Sequence, residues 1–255
     1  LIYSFGNVMR KKLKNINSIS DLLKNLKKDT DDYDGQIWFR GQSVFSWKLQ
    51  PTFLRKDKNI SEFTLITKFK QNASLLIDRT PNTYYDWLFQ MQHHGVPTRL
   101  LDWTESALTA LYFAVEDSNK IKKDGALWIL LPTELNKNAN IYSDENYYIP
   151  SFDDVVLANY DPIVFNQEKN TKLLPVAAIA SRNNSRMQAQ LGVFTISHRE
   201  KKPIEEIGDK THIWKYKIPA SKKKIIKNEL ALLGITKFQV FPELSSIGEI
   251  IRSEF

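Results

Sequence analysis

Cysteine is absent from the 255-residue sequence. Its absence excludes disulfides and zinc sites with thiolate ligands, and it fits a reducing, cytoplasmic environment. The sequence also lacks any run of about 18 or more apolar residues, the length that a membrane-spanning helix needs. We therefore expect a cytoplasmic protein that has no membrane partner.

Glycine is scarce, with nine residues, and the sequence contains neither G-x-G-x-x-G nor G-x-x-x-x-G-K-S/T. Rossmann-type dinucleotide sites and P-loops therefore lose their main sequence support. A G-x-S-x-G motif is missing as well, which argues against a serine hydrolase of that type. His93 and His94 are adjacent and point in different directions on a helix, and no H-E-x-x-H is present. We predict no metal site.

Basic residues exceed acidic ones, and the formal net charge is +7. Such a charge attracts phosphate-rich partners without requiring them. The excess lies in four separate patches, and a separated run of lysines is usually a solvated helix face. The patches are MRKKLKN, KNLKK, NKIKK and SKKKIIK.

Apolar periodicity predicts helices and strands that are intermixed without a regular β-α-β alternation. Helices are predicted at 18–28, 60–79, 82–95, 105–117 (capped by Thr104) and, as the last one, 222–233. Strands are predicted at 36–39, 96–103, 125–131, 192–197, 212–219 and 236–241. This order indicates an α+β fold with a mixed, mainly antiparallel sheet and flanking helices. We expect a single domain over 1–255, with a core at about 30–245 and an irregular insertion at about 132–175.

Arg40 stands directly after the apolar residues Ile37, Trp38 and Phe39 in the stretch QIWFRGQ. A guanidinium at the end of a buried strand needs a partner, and its planar fork suits a phosphate or a carboxylate. Gly41 lacks a Cβ, so a ligand or another strand can approach the backbone closely. The alternative is an internal salt bridge, for instance to Asp102, with Gly41 at a bulge.

A second polar stretch, QMQHHGVPTRLLDWTES, places Gln92, His93, His94, Arg99 and Asp102 within eleven residues. In a regular strand Arg99 and Asp102 point to opposite faces, so we expect one to pair internally and the other to be available. The alternative is a buried polar network that only fixes the fold.

Four motifs together resemble the FRG domain, a bacterial family named after its Phe-Arg-Gly motif. They are Phe39-Arg40-Gly41, QHHGVPTRLLDWTESALTALYFAVED, RMQAQLGVF and LGITKFQVFPEL. The resemblance spans roughly residues 30–245. It implies a bacterial protein from a phage-defence or toxin-like setting, with an antitoxin or chaperone as a conceivable partner.

A weaker resemblance is to ADP-ribosyltransferases, which open their site with a strand ending in Arg-Gly or His-Gly. WFRGQ matches that motif, and LLDWTES followed by ALTALYFA is similar to their second motif, a strand that runs through Ser or Thr into a helix. QAQLGVFTI partly resembles the third. The family has a catalytic Glu there, whereas this sequence has Gln188 and Gln190, so Glu243 or Asp102 is the candidate acid.

The second resemblance implies an ADP-ribosyltransferase-like core and NAD as the substrate. Arg40 would hold phosphate, Gly41 would seat nicotinamide, and Trp103 or Tyr112 would stack on a ring, although Tyr112 also fits a core position. The implied catalytic residues are Arg40, Asp102, Gln190 and Glu243. The implied cofactor-binding residues are Arg40, Gly41, Gln42, His94, Arg99, Trp103 and Tyr112.

The expected activity is that of a toxin or defence effector that modifies a macromolecule, with RNA or DNA slightly favoured over protein as acceptor. Net positive charge and 12% aromatic residues support that preference, because phosphate attraction and base stacking position a nucleic acid. Two alternatives stay open: a non-catalytic nucleic-acid-binding or sensor module, and a nuclease.

Overall fold

The computed structural model describes residues 11–55, 60–77, 79–143, 145 and 147–253. The first two residues of the MRKKLKN patch, at positions 9 and 10, lie outside this part. The strands found in it are β1 Lys14–Asn15, β2 Trp38–Gln42, β3 Leu100–Thr104, β4 Gly125–Leu130, β5 Val176–Ala178, β6 Gly192–Ile196 and β7 Ile213–Ile218. The helices are α1 Ile19–Asp29, α2 Glu62–Ala73, α3 Tyr84–His93, α4 Ala107–Val115, α5 Pro132–Asn138, α6 Pro162–Gln167, α7 Ser185–Ala189, α8 Lys223–Leu232, α9 Lys237–Val240 and α10 Leu244–Ser253.

The seven described strands form one sheet in the order β1-β7-β4-β2-β3-β6-β5. β1 pairs with β7 in parallel, and the other pairs are antiparallel. The fold is therefore α+β with a mixed, mainly antiparallel sheet, as the sequence predicted. None of the described helices has the length and apolar character needed to cross a membrane.

One face of the sheet is covered by two groups of helices. α4 and α8 pack over Phe39 of β2 and its neighbours in β4 and β7, while α3 packs over Leu100 and Phe194 of β3 and β6. Because Phe39 lies opposite Thr104 in the register, alternation places Phe39, Gly41, Leu100, Asp102 and Thr104 on this same face. The gap between α3 and α4 therefore opens over the boundary between β2 and β3.

Several predicted boundaries are wrong for local reasons. Thr104 ends β3, and the cap of α4 is Ser106, whose hydroxyl accepts a hydrogen bond from the Thr109 N–H. The predicted strand at 236–241 is the short helix α9, because Val240 is buried by helical packing and not by pairing. The helix at 222–233 was expected to be the last, but α9 and α10 follow it.

The stretch predicted as an irregular insertion, 132–175, contains two short helices and a 3-10 turn. They are α5, α6 and the turn Val155–Tyr160. The chain returns to the sheet at β5 directly afterwards.

Candidate functional site

β2 and β3 separate soon after they meet. Although both strands are fully described, the only paired residues in their ladder are Phe39 and Thr104, whereas β2 pairs with β4 along all five of its residues. Antiparallel pairing would continue through Gly41 and Asp102 if the two strands stayed together. The sheet therefore has a seam between β2 and β3, and a cleft opens over it.

The cleft has a volume of about 210 Å³ and is lined from β2, β3, β6, α3, α4 and α7. Its apolar walls include Phe39, Phe89, Phe113, Met187 and Phe194. Its polar groups include Arg40, Gln92, His93, Asp102, Arg186 and Gln190. These residues come from three separate stretches of the chain, around positions 39–41, 89–113 and 184–194.

Arg40 spans the seam. Its Nη1 donates a hydrogen bond to the backbone carbonyl oxygen of Asp102, while Nε is buried and has no hydrogen-bond partner among the described residues. Burial lowers the pKa of Arg40, the nearby Arg55 acts in the same direction, and Asp102 opposes them. Arg40 thus contacts Asp102, the residue named above as its alternative partner, but through the Asp102 backbone oxygen and not through a side-chain salt bridge. The position of Arg40 after an apolar strand is explained by this contact. Where β2 and β3 separate, the carbonyl oxygen of Asp102 has no partner in β2, and Arg40 supplies the hydrogen bond.

Gly41 has a packing reason for lacking a side chain. A Cβ at this position would lie 1.8 Å from the carbonyl oxygen of Ala110 and 2.7 Å from the amide nitrogen of Ala114, both in α4. Real Cβ atoms do not approach backbone so closely, so α4 could not lie where it does. Gly41 lines the cleft. The sequence predicted that a ligand or another strand approaches its backbone closely, and in the structure the helix α4 does so.

Asp102 is the only carboxylate among the residues that line the described cleft. It is exposed, and its Oδ2 accepts a hydrogen bond of 2.9 Å from Nε2 of Gln92. Thr98 in turn donates from its hydroxyl to Oε1 of Gln92. A connected set of three side chains thus ends at a carboxylate that faces the cleft.

A second guanidinium, that of Arg186, lies at the rim of the cleft. It packs over the ring of Phe241 at 4.8 Å, and its Nη1 is 3.9 Å from Oε1 of Glu243. The same carboxylate oxygen is 3.8 Å from Nε2 of His93, and it is buried without a hydrogen bond from the described part of the chain. Burial lowers the pKa of His93, with Arg186 and His94 acting in the same direction and Glu243 opposing.

Gln190 and Trp103 line the cleft, but the side chain of each donates a hydrogen bond to a neighbouring residue. Nε2 of Gln190 donates to the carbonyl oxygen of Val240 at 3.1 Å, and its backbone oxygen accepts from the Thr104 hydroxyl at 2.6 Å. The Trp103 indole donates to the Thr195 hydroxyl at 3.0 Å and is 3% exposed. Gln190 follows α7 as its C-cap, so the third motif is a short helix before β6 and not a strand.

Other residues assigned to the cofactor site are not among those that line the cleft. Gln42 is buried and accepts from the Trp128 indole at 2.8 Å, and Tyr112, a residue of α4, is buried in the core between α4 and the sheet. Arg99 is fully buried, and its Nε donates to Oε2 of Glu62 at 2.6 Å. His94 is exposed beside the cleft, while its neighbour His93 lines it.

The split between Arg99 and Asp102 follows the strand alternation that the sequence predicted, since one pairs internally and the other reaches the cleft. The structure adds Phe113, Asn184 and Arg186 to the lining, to which the sequence assigned no role, together with Gln92 and His93, which the sequence placed in the second polar stretch without a role in the site. Arg186 and Gln92 each stand inside a motif of the predicted family, and that was the available signal. The described residues contain no group of three His, Cys, Asp or Glu side chains arranged to hold a metal ion.

Comparison with protein families gives one match. Residues 35–123 match the family model described as the FRG domain. This segment, about a third of the chain, is similar to the FRG domain. It supplies Arg40 and Asp102 on the two sides of the seam, together with α2, α3 and α4. Arg186 and Gln190 lie beyond the matched segment of the FRG domain, so its predicted extension to about residue 245 stays a prediction. No curated protein and no solved structure matches the chain.

Proposed function

We propose that the protein is an NAD-dependent ADP-ribosyltransferase that acts on a macromolecule. The observation that carries the proposal is convergence in space. The three stretches that resemble ADP-ribosyltransferase motifs contribute residues to one cleft: Arg40 and Gly41, Asp102 to Thr104, and Gln190 with Gly192. Chance resemblance in three separate stretches gives no reason for them to meet around a single cavity.

The charge of the cleft suits a diphosphate. Two guanidinium groups, those of Arg40 and Arg186, line it with one carboxylate, and the pKa shift of His93 favours its neutral form. Arginine forks bind phosphate oxygens bidentately. A volume of about 210 Å³ is below the range of about 300–1,000 Å³ that is usual for a whole drug-sized ligand, so the cleft would hold only part of NAD, with the rest on the surface.

The reaction breaks the bond between C1′ of the ribose and the nicotinamide nitrogen. The bonding electron pair leaves with nicotinamide, and positive charge develops at C1′ until a nucleophile of the acceptor adds there and releases a proton. A fixed carboxylate stabilises that developing charge, and Asp102 is the lining residue with this chemistry. Gln190 is neutral, and its side-chain amide nitrogen donates a hydrogen bond to the carbonyl oxygen of Val240. We therefore assign the electrostatic role to Asp102, and the family's glutamate has no direct counterpart.

RNA or DNA is the favoured acceptor, because the net charge of +7 attracts polyanions. The family setting supports a role as a cytoplasmic toxin or phage-defence effector that an antitoxin holds in check. A protein acceptor would leave the chemistry at C1′ unchanged and would alter only the surface that presents the nucleophile.

The test uses NAD labelled in its adenylate half, incubated with the protein and separate pools of cellular RNA, DNA and protein. We expect label in one pool and an equal amount of released nicotinamide. Arg40→Lys keeps a positive charge but loses the fork, and it should lower kcat/KM at least about 10-fold. Arg252→Lys, at an exposed site on α10, is the matched control and should behave as the wild type. Absence of label from every pool, with no NAD binding by calorimetry, would refute the proposal.

A non-catalytic nucleic-acid-binding module is the second candidate, and the neutral Gln190 in place of an acid favours it. Binding would then fall steeply with salt concentration and need no NAD, because phosphate neutralisation releases counterions. Loss of nucleic acid cleavage in EDTA would instead support the third alternative, a metal-dependent nuclease.

A further inference from the structure

We propose that Gln92 is a positioning residue for the reaction in the cleft, and that it holds the Asp102 carboxylate in its working orientation. Thr98 orients Gln92 in turn. This inference rests on the proposed function, and it assigns roles to two residues for which sequence reasoning gave none.

The geometry joins three elements. Gln92 is the penultimate residue of α3, Asp102 lies in β3, and Thr98 lies in the loop between them. Gly95 ends α3 with a left-handed φ of 74°, and the Val96 N–H then donates to the carbonyl oxygen of Met91 at 2.8 Å. This reversal brings Thr98 back beside Gln92.

Hydrogen-bonding capacity fixes the direction of the amide. An ionised carboxylate only accepts, so Gln92 must present Nε2 to Asp102 and keep Oε1 for its other neighbour. The Thr98 hydroxyl has one proton and gives it to that oxygen, while the same hydroxyl accepts from the Leu100 N–H at 3.2 Å. Thr98 is 1% exposed and β-branched, so its χ1 is strongly restricted. The buried Thr98 therefore orients Gln92, and Gln92 orients the exposed carboxylate of Asp102.

Asp102 needs such support, because its carboxylate is exposed. Among the described side chains and backbone groups, Gln92 makes the only hydrogen bond to that carboxylate, and Arg40 contacts just the backbone oxygen. Without Gln92, the carboxylate would sample several rotamers. Displacement of a reacting group by about 1 Å can cost about 100-fold in rate.

The experiment compares Gln92→Met with the wild type. Methionine keeps a similar volume and flexibility but makes neither hydrogen bond. We expect kcat to fall about 10- to 100-fold with little change in the KM for NAD, because the lost interaction matters in the transition state. Gln167→Met, at an exposed position of α6, is the matched control and should change neither parameter.

Two further comparisons separate positioning from a structural effect. In an Asp102→Asn background, Gln92→Met should cost almost nothing more, since the group that it positions has lost its charge. Thr98→Val should lower kcat in the same way, whereas Thr98→Ser, which keeps the hydroxyl, should restore it. Thermal unfolding of each variant shows whether the fold is intact.

NMR signals of the Gln92 side-chain amide provide a readout that does not need activity. We expect them to move in Asp102→Asn and in Thr98→Val. An active wild type with unchanged kcat in Gln92→Met, or with equal losses in both backgrounds, overturns the inference while the proposed function stands. An inactive wild type overturns the function and the positioning role together. If the Gln92 amide signals still respond to Asp102→Asn, the hydrogen bonds that join Thr98, Gln92 and Asp102 are a structural feature alone.

Discussion

The guanidinium of Arg40 donates a hydrogen bond to the backbone carbonyl oxygen of Asp102, across the seam where β2 and β3 separate. Because this contact uses the backbone, the Asp102 side chain can be changed without removing it. The bracing of the seam and the charge in the cleft can therefore be tested independently.

Asp102→Asn should abolish most of the transfer activity without unfolding the protein. The asparagine keeps the shape of the side chain and the backbone oxygen that Arg40 contacts, but it removes the negative charge. Loss of one preorganised electrostatic group costs about 100- to 1,000-fold in kcat, and we expect a loss of that order in the labelled-NAD assay. Asp153→Asn, at an exposed position, is the control. Retention of full activity in Asp102→Asn would assign the charge stabilisation to another group.

Gly41→Ala should destabilise the protein. The added methyl group would lie 1.8 Å from the Ala110 carbonyl oxygen, so α4 must shift away from the sheet. Overpacking of this kind costs about 1–3 kcal/mol in the free energy of unfolding, which urea denaturation measures. Gly248→Ala is the matched control: apart from its chain neighbours and its own helix backbone, no described atom lies within 4 Å of its Cβ position, and alanine should stabilise α10 by up to about 1 kcal/mol. Equal stabilities for the two variants would contradict the packing argument.

Glu62→Gln should be strongly destabilising, because it leaves the buried charge of Arg99 without its partner. Glu62 Oε2 accepts from Arg99 Nε at 2.6 Å, and both side chains are almost fully buried. Breaking such a pair costs about 3–5 kcal/mol. Glu206→Gln, which removes the exposed partner of Lys48, should cost about 1 kcal/mol or less in the same denaturation experiment. A cost below 1 kcal/mol for Glu62→Gln would show that the buried network relaxes around the change.

His198 should make stability fall as the pH is lowered. It is fully buried, and burial together with Arg99 and Arg199 lowers its pKa from 6.5 to about 4. Between these values the unfolded chain binds a proton that the folded protein does not, so stability present above pH 6.5 is lost on acidification. From pH 7 to pH 5 the loss should be about 2 kcal/mol. His198→Phe keeps a ring against Tyr160 and Phe165, and its free energy of unfolding should show a shallower pH dependence.

The elements that the sequence predicted well are those with strong local signals. α3 has a capping box at Thr83 and ends before Gly95. The apolar run at the start of β3 is short and lies between the charged residues Arg99 and Asp102. The stretch 236–241 was wrongly predicted as a strand because its apolar residues fit either period. The helix depends on tertiary contacts, in which Val240 is buried and Phe241 packs against Phe113 and Arg186. Short elements of this kind are set by tertiary contacts.

The candidate site was predictable in part. Arg40 and Asp102 stood out because charged residues interrupt apolar runs, and strand alternation separated Asp102 from Arg99. The role of Gln92 could not be read in this way, since it depends on a helix end, a loop and a strand meeting at one carboxylate. The sequence indicated that the missing Cβ of Gly41 allows a close backbone contact, but it could not show that the contact is with α4.

The strand order also has a consequence for how the sheet is completed. β2 and β3 lie in the middle, and β4, β6 and β7 come later in the chain and add to the outside. The segment that matches the FRG domain ends before β4 begins at Gly125, so on its own it would leave the outer hydrogen-bonding edges of both central strands open to aggregation. Among the described strands the outermost are β1 and β5, the two shortest, with two and three residues. The outer edge of β5 is covered as well, since the Asn136 side chain of α5 donates to the Ala177 carbonyl oxygen and accepts from the Ala177 N–H.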